Sequence, residues 1–156
     1  MVSHIGSTRF ALFLLCCLGT LMLSHTGPIY QLQPKEIQAI IVELQNLSKK
    51  LLDDYVSALE TSILSCFFKT DLPSCFTSDS QAPGNINSSA ILPYFKAISP
   101  SLNNDKSLYI IEQLDKLNFQ NAPETEVSMP TDNFERKRFI LTILRWFSNC
   151  LEHRAQ

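Results

Sequence analysis

The spacing of apolar residues constrains the fold of this chain more than any other feature, because four separate segments repeat them at helical intervals. The first segment carries these apolar positions: Ile37, Ile40, Ile41, Leu44, Leu47, Leu51 and Tyr55. This spacing gives an α-helix one apolar stripe, whereas a half-buried strand alternates apolar and polar residues. We therefore predict a helix over residues 35–57, and we predict no strand of comparable strength.

A second and shorter helix is predicted over Ser88–Ser99. Asn87 and Ser88 are residue types that cap helix N-termini, since their side chains accept hydrogen bonds from free backbone N–H groups. Pro93 limits or kinks this helix, and Pro100 is expected to end it, because proline lacks the N–H of a helical bond. The predicted apolar face consists of Ile91, Leu92, Phe95 and Ile98.

The third and fourth helices follow the same reasoning. The third is predicted over residues 105–119, with a cap at Asn104 or Asp105. Its predicted core positions are Leu108, Ile111, Leu114 and Leu117, with Ile110 alongside. The fourth helix starts at Asp132, where Glu135 stands at the spacing of a capping box, and its apolar stripe ends at Leu151.

The lengths of the links between these helices predict the topology. Residues 58–87 and 120–131 are rich in helix breakers and long, whereas the link between the second and third helices is short. About 12 extended residues reach ~40 Å, while a helix of about 15 residues spans only ~22 Å. Two such crossovers predict an all-α, up-up-down-down four-helix bundle, the topology of the growth hormone and cytokine bundles.

The N-terminal segment predicts export from the cell. Arg9 is the only charged residue before Lys35, and it precedes the apolar run Phe10–Leu23 and the small or polar residues 24–27. This order is typical of a secretory signal. The run is short for a membrane span, which needs ~20 residues. We predict a signal peptide over 1–23, cleaved between 23 and 27, and a secreted domain over 24–156; an uncleaved anchor or a buried core helix is the alternative.

Charge and residue types argue against several classes of function. The chain has 13 Lys and Arg against 15 Asp and Glu, and losing Arg9 leaves a net charge of −3, which disfavours nucleic acid as a partner. Once the signal is removed, we expect no membrane insertion. His153 is the one histidine certain to remain, so a catalytic triad or metal site lacks its residues, and we predict no enzyme and no cofactor.

A secreted carrier of a small apolar ligand is a further alternative. Such a protein needs a sizeable internal cavity. The large side chains of Phe95, Phe139, Trp146 and Phe147 favour a filled interior instead.

Three cysteines remain after the signal: Cys66, Cys75 and Cys150. Secreted proteins fold in an oxidising compartment, so one disulfide is expected and one thiol is left over. We favour Cys75 with Cys150, which ties the long link to the last helix and contributes ~4 kcal/mol in the chain-entropy model. A local Cys66–Cys75 pair is the alternative. Asn46 and Asn87 begin N-glycosylation sequons, which suit surface positions of a secreted chain.

Two segments, Thr77–Ile98 and Ile110–Leu144, resemble the interleukin-31 family, a group of four-helix cytokines related to interleukin-6 and oncostatin M. The first helix, with IIVELQNLSKKLL, resembles the family more loosely, and residues 57–74 match it poorly and carry Cys66. The resemblance covers most of residues 35–153. It implies a monomeric ligand that joins the interleukin-31 receptor alpha chain to the oncostatin M receptor beta chain. It implies JAK/STAT signalling in itch and type 2 inflammation.

The resemblance also implies two receptor-binding surfaces. In the wider group one receptor contacts the start of the fourth helix, often through a Phe-x-x-Lys pattern, which Phe134 and Lys137 match here. The other receptor contacts the exposed faces of the first and third helices, which here carry Glu43, Lys50, Tyr109, Glu112, Gln113 and Lys116. The alternatives are that Phe134 packs against the helix start and that these charges form an ordinary solvated face.

Overall fold

The structure is a computed structural model that describes residues 32–59, 71–77, 86–118 and 125–152. The chain divides into two units, Met1–Leu32 and Gln33–Gln156, and the described helices belong to the second. Those helices are α1 (Pro34–Ser57), α2 (Ser88–Leu102), α3 (Asp105–Lys116) and α4 (Asn133–Glu152). Within the described ranges the only β-type pairing is an isolated bridge between Phe76 and Ile86, so the all-α prediction is confirmed. The predicted signal peptide and Cys66 lie outside the described residues.

Local polar contacts explain where three of the helices begin. The backbone N–H of Gln33 donates to the Glu36 carboxylate at 2.8 Å, ahead of α1, where Pro34 stands at the first helical position. The Asn104 side chain accepts a 2.8 Å bond from the Lys106 N–H and caps α3. Asp132 accepts a 2.9 Å bond from the N–H of Glu135 and so caps α4, as the sequence predicted.

The end of α2 differs from the prediction. Pro100 was expected to end this helix, but the helix continues to Leu102 and includes both Pro93 and Pro100. Proline holds φ near its helical value, so a helix can include it, but it omits one hydrogen bond and crowds the carbonyl of the preceding turn. The helix ends at Asn103, whose φ of 43° is left-handed and whose N–H donates to the Ser99 carbonyl. Asparagine adopts this conformation more readily than most residues do.

The core face of α3 is rotated from the predicted one. Leu108 was predicted to be buried but is 60 % exposed, whereas Ser107 and Ile110 are fully buried. The Ser107 hydroxyl lies 2.9 Å from the Ser99 hydroxyl on α2, and it donates to the Asn104 carbonyl at 2.7 Å. Two small serines at this contact let the backbones approach with their polar groups satisfied. The helix therefore turns Ser107, rather than Leu108, towards α2.

Contacts at both ends of α2 and α3 show that these two helices are antiparallel. Near the start of α2, the Ser88 hydroxyl donates to the carbonyl of Leu117, just after the end of α3, at 3.0 Å. Near the end of α2, Ser99 contacts Ser107 in the first turn of α3.

Contacts from the last turn of α1 complete the topology. Asp54 forms an ion pair with Lys106 at the start of α3, and the Tyr55 hydroxyl donates to the backbone carbonyl of Lys137 in the first turns of α4. Because α1 packs along both α3 and α4, it runs antiparallel to each of them. With α2 antiparallel to α3, the order is up-up-down-down, as predicted.

The interior is filled by large apolar side chains. The rings of Phe95 on α2 and Phe147 on α4 meet edge to face with centroids 4.7 Å apart, and both are fully buried. Other fully buried side chains come from all four helices and include Leu44, Leu51, Ile91, Ile98, Ile110, Leu114, Leu141 and Ile143. Burying this apolar surface supplies most of the favourable free energy of folding.

A disulfide joins Cys75 to Cys150 on α4, with their Cα atoms 5.8 Å apart, which confirms the predicted pairing. Cys75 and the next residue, Phe76, also contact the residues just before α2. The N–H of Asn87 donates to the Cys75 carbonyl at 2.9 Å, and Phe76 pairs with Ile86. The described part of the first link is therefore attached to the start of α2 and to α4.

Replacing both Cys75 and Cys150 with serine should lower the free energy of unfolding by about 4 kcal/mol, because the bridge closes a long loop in the unfolded chain. Urea denaturation followed by circular dichroism would measure this loss. Cys66→Ser is the matched control and should leave the midpoint unchanged. An equal loss in the Cys66→Ser protein would contradict the assignment of the stabilising bridge.

Candidate functional site

The start of α4 presents an aromatic ring beside cationic side chains. Phe134 is 43 % exposed, and Lys137 lies on the same side of the helix and is half-buried. The Arg138 guanidinium carbon lies 5.6 Å from the centroid of the Phe134 ring, and its Nη1 contacts the Glu135 carboxylate at 2.8 Å. Arg138 therefore holds one face of the ring in place by a cation–π contact. We call Phe134, Lys137 and Arg138 the α4 surface.

The α4 surface is attached to α1 by a tyrosine. The Tyr55 hydroxyl donates to the backbone carbonyl of Lys137 at 3.3 Å. Burial raises the pKa of Tyr55 to about 12, because the phenolate would lose solvation there, and the positive charge of Arg136 partly opposes this increase. Tyr55 was predicted only as part of an apolar stripe, and spacing along α1 gives no signal for a polar contact 82 residues away.

A second surface lies where α1 and α3 run side by side. We call its outward residues the α1–α3 face: Glu43, Lys50, Tyr109, Glu112 and Lys116. Lys116 contacts Glu112 at 2.8 Å. This hydrogen bond raises the pKa of Lys116, slight burial opposes the increase, and the charges of Tyr109 and Glu43 add to it. The charge of Glu43 on α1 acts on Lys116 of α3, which is consistent with antiparallel packing of these two helices.

Gln113 is a correction to the predicted set. It was expected on the outward face, but it is only 3 % exposed and belongs to the buried side of α3. The rotation that buries Ser107 and Ile110 carries Gln113 inward with them. The prediction that Gln113 lies on a receptor-accessible face is therefore wrong.

Each of these two surfaces carries one exposed large apolar side chain. Among the described residues, four large apolar side chains are exposed: Phe134, Val42 (47 %), Leu108 (60 %) and Tyr109 (39 %). Phe134 belongs to the α4 surface, Tyr109 to the α1–α3 face, and Val42 and Leu108 lie on the outward sides of α1 and α3. Sequence reasoning missed Val42, although its position off the apolar stripe of α1 is a detectable signal. It assigned Leu108 to the core.

The two predicted sequons lie in different environments. Asn46 is exposed on α1 and lines a shallow depression together with Val42 and Glu43. Asn87 is half-buried at the start of α2, where its Nδ2 donates to the Ser74 carbonyl at 3.1 Å. Its Oδ1 accepts a bond from the Ser89 hydroxyl. Glycosylation at both positions stays a prediction, and Asn46 is the more accessible of the two.

Neither a metal-binding cluster nor a membrane-spanning helix occurs among the described residues. They contain no group of three or more His, Cys, Asp or Glu side chains that could hold a metal ion. None of the helices in the described ranges combines the length and apolarity that a membrane span requires. Both surfaces consist instead of exposed apolar groups beside paired charges, an arrangement typical of protein interfaces.

The burial of Tyr55 predicts a pH effect on stability. Because its pKa in the folded protein, about 12, lies above the value of 10.0 for an exposed tyrosine, its contribution to stability is complete below pH 10 and is lost as the pH rises towards 12. Tyr55→Phe should remove this alkaline component and cost about 1 kcal/mol at neutral pH through the lost hydrogen bond. The difference in phenolate absorbance between the two proteins should titrate near pH 12. A difference that titrates at the ordinary tyrosine pKa would contradict the burial.

Comparisons with known proteins find relatives over nearly the whole chain. The family model described as Interleukin 31 matches residues 24–156. Human interleukin-31 is 48 % identical over 153 residues, which cover 97 % of this chain and 91 % of the human protein. Mouse interleukin-31 is 31 % identical over 159 residues, which cover 97 % of this chain and 93 % of the mouse protein. No solved structure matches the chain.

Proposed function

This chain belongs to the interleukin-31 family of cytokines, and we propose that it is a secreted ligand that bridges two receptor chains. The α1–α3 face binds the interleukin-31 receptor alpha chain. The α4 surface then recruits the oncostatin M receptor beta chain. Bringing the two receptors together starts JAK/STAT signalling in itch and type 2 inflammation, and the ligand acts as a monomer without catalysing a reaction.

The single observation that carries this proposal is the distribution of exposed apolar groups. Soluble proteins expose isolated apolar side chains, but here an exposed aromatic residue accompanies the predicted charges at each of two surfaces, Tyr109 at one and Phe134 at the other. Aromatic residues flanked by charges are enriched where one protein binds another, because the ring supplies contact area and the charges exclude wrong partners. Two such surfaces on one chain fit a ligand with two receptors.

The α1–α3 face extends along α1 away from the α4 surface. Tyr55, which contacts α4, is 5 residues (~8 Å along the helix) from Lys50 and 12 residues (~18 Å) from Glu43. The Glu43 end of the face is therefore available to a receptor chain other than the one at α4.

Secretion is part of the proposal and rests on the N-terminal segment. The signal predicted over 1–23 supplies entry to the secretory pathway, and the family match beginning at residue 24 supports that boundary. The Cys75–Cys150 disulfide also supports export, because structural disulfides are rare in the reducing cytosol.

Single substitutions should separate the two receptor contacts. Phe134→Ala and Lys137→Ala should each weaken binding to the beta chain by about tenfold or more, since truncating a central aromatic or cationic contact often costs over ~1.4 kcal/mol. Both proteins should keep wild-type affinity for the alpha chain. Surface plasmon resonance with each receptor ectodomain and STAT phosphorylation in cells with both chains would measure these effects.

Lys96→Ala, which removes an exposed lysine on α2 outside both surfaces, is the matched control and should signal like the wild type. Normal signalling by both the Phe134→Ala and the Lys137→Ala proteins would show that the beta chain binds elsewhere.

A glycan on Asn46 should hinder the α1–α3 face, because Asn46 and Glu43 line the same depression. Asn46→Gln protein made in mammalian cells should therefore bind the alpha chain several-fold more tightly than the glycosylated wild type. Asn87→Gln is the control and should leave this affinity unchanged. Equal alpha-chain affinities for the glycosylated protein and the Asn46→Gln variant would move the binding face away from this part of α1.

A further inference from the structure

We propose that Tyr55 is a positioning residue for receptor binding: its bond to the backbone of Lys137 holds the α4 surface at a set place relative to α1. This inference rests on the proposed function, since it assigns to Tyr55 a role in presenting Phe134 and Lys137. Tyr55 touches neither receptor in this scheme. It acts through the residues of α4 that do.

The last turn of α1 is tied to both neighbouring helices by consecutive residues. The Asp54 carboxylate meets the Lys106 ammonium at 2.7 Å, across a sequence separation of 52, and so connects α1 to the start of α3. The next residue, Tyr55, connects α1 to α4 across a separation of 82. A single helical turn of α1 is therefore connected to the start of α3 and to the first turns of α4.

Tyr55 lies in the last turn of α1, where local hydrogen bonds keep the backbone helical. Helix ends lack intrahelical partners for their last carbonyl groups and open more easily than helix centres. Here the Ser57 hydroxyl donates to the Asp53 carbonyl at 2.7 Å, and the N–H of Ala58 donates to the Tyr55 carbonyl at 3.1 Å. These local bonds keep the last turn helical, so the Tyr55 ring projects from an ordered backbone.

The chemistry of the contact suits positioning. The acceptor is a backbone carbonyl, so the bond fixes the α4 backbone itself at Lys137 and leaves the lysine ammonium available for a partner. The Tyr55 phenol is neutral and able to donate at physiological pH, and burial raises its pKa further, to about 12. Because Phe134 lies three residues earlier on the same side of α4, one tether orients both side chains.

The test is Tyr55→Phe, which keeps the ring and removes only the hydroxyl. It should weaken beta-chain binding by about fivefold, the scale of one neutral hydrogen bond, and leave alpha-chain binding unchanged. Asp54→Asn is the matched control, since it alters the adjacent tether to α3 and should keep wild-type affinity for the beta chain. Surface plasmon resonance with each receptor ectodomain gives the affinities.

A mutant cycle with Phe134→Ala and Lys137→Ala distinguishes positioning from general stability. If Tyr55 acts through these two side chains, adding Tyr55→Phe to a protein that carries both alanines should cause little further loss of beta-chain affinity. Fully additive losses would overturn the inference. Normal beta-chain affinity of the Tyr55→Phe protein, alongside weakened affinity of the Lys137→Ala protein, would also overturn it. In both of these cases the proposed function stands. Normal beta-chain affinity of both the Phe134→Ala and the Lys137→Ala proteins would overturn both.

Discussion

The rest of the structure depends on the burial of four apolar stripes against one another. Phe95 and Phe147 meet at the centre of this core, and Leu44 of α1 and Ile110 of α3 are fully buried with them. Burial of this kind specifies which side of each helix faces inward, so it also determines which side chains remain outside. The outward residues of α1, α3 and α4 are available for binding because the inward ones are committed to the core.

Polar contacts add direction and register to this apolar packing. Apolar burial is non-directional and would tolerate several helix orientations. The Ser88 and Ser99 contacts between α2 and α3, together with those of Asp54 and Tyr55 at the end of α1, each join particular helix ends. The antiparallel pairs follow from these contacts, and with them the up-up-down-down order. The disulfide from Cys75 to Cys150 then attaches the first link to α4.

The same contacts relate the fold to the proposed function. A ligand that joins two receptors has to present two surfaces at a stable separation, and rigid helices do this better than loops. The α1–α3 face and the α4 surface share α1 as their common support, since α1 packs against both α3 and α4. Tyr55 lies at the point where this support meets the α4 surface.

The sequence by itself determined the approximate extents of the four helices, the capping of α4 by Asp132 and the topology, because local spacing and link length carry that information. It favoured the Cys75–Cys150 disulfide without excluding the local alternative. The tertiary structure decided the rotation of α3, which buried Gln113 and exposed Leu108. Apolar periodicity favours large side chains in the core, but the contact between Ser99 and Ser107 depends on how closely two helices approach. The Tyr55 contact with Lys137 likewise requires two distant segments to meet, and such pairings leave no periodic signal in the chain.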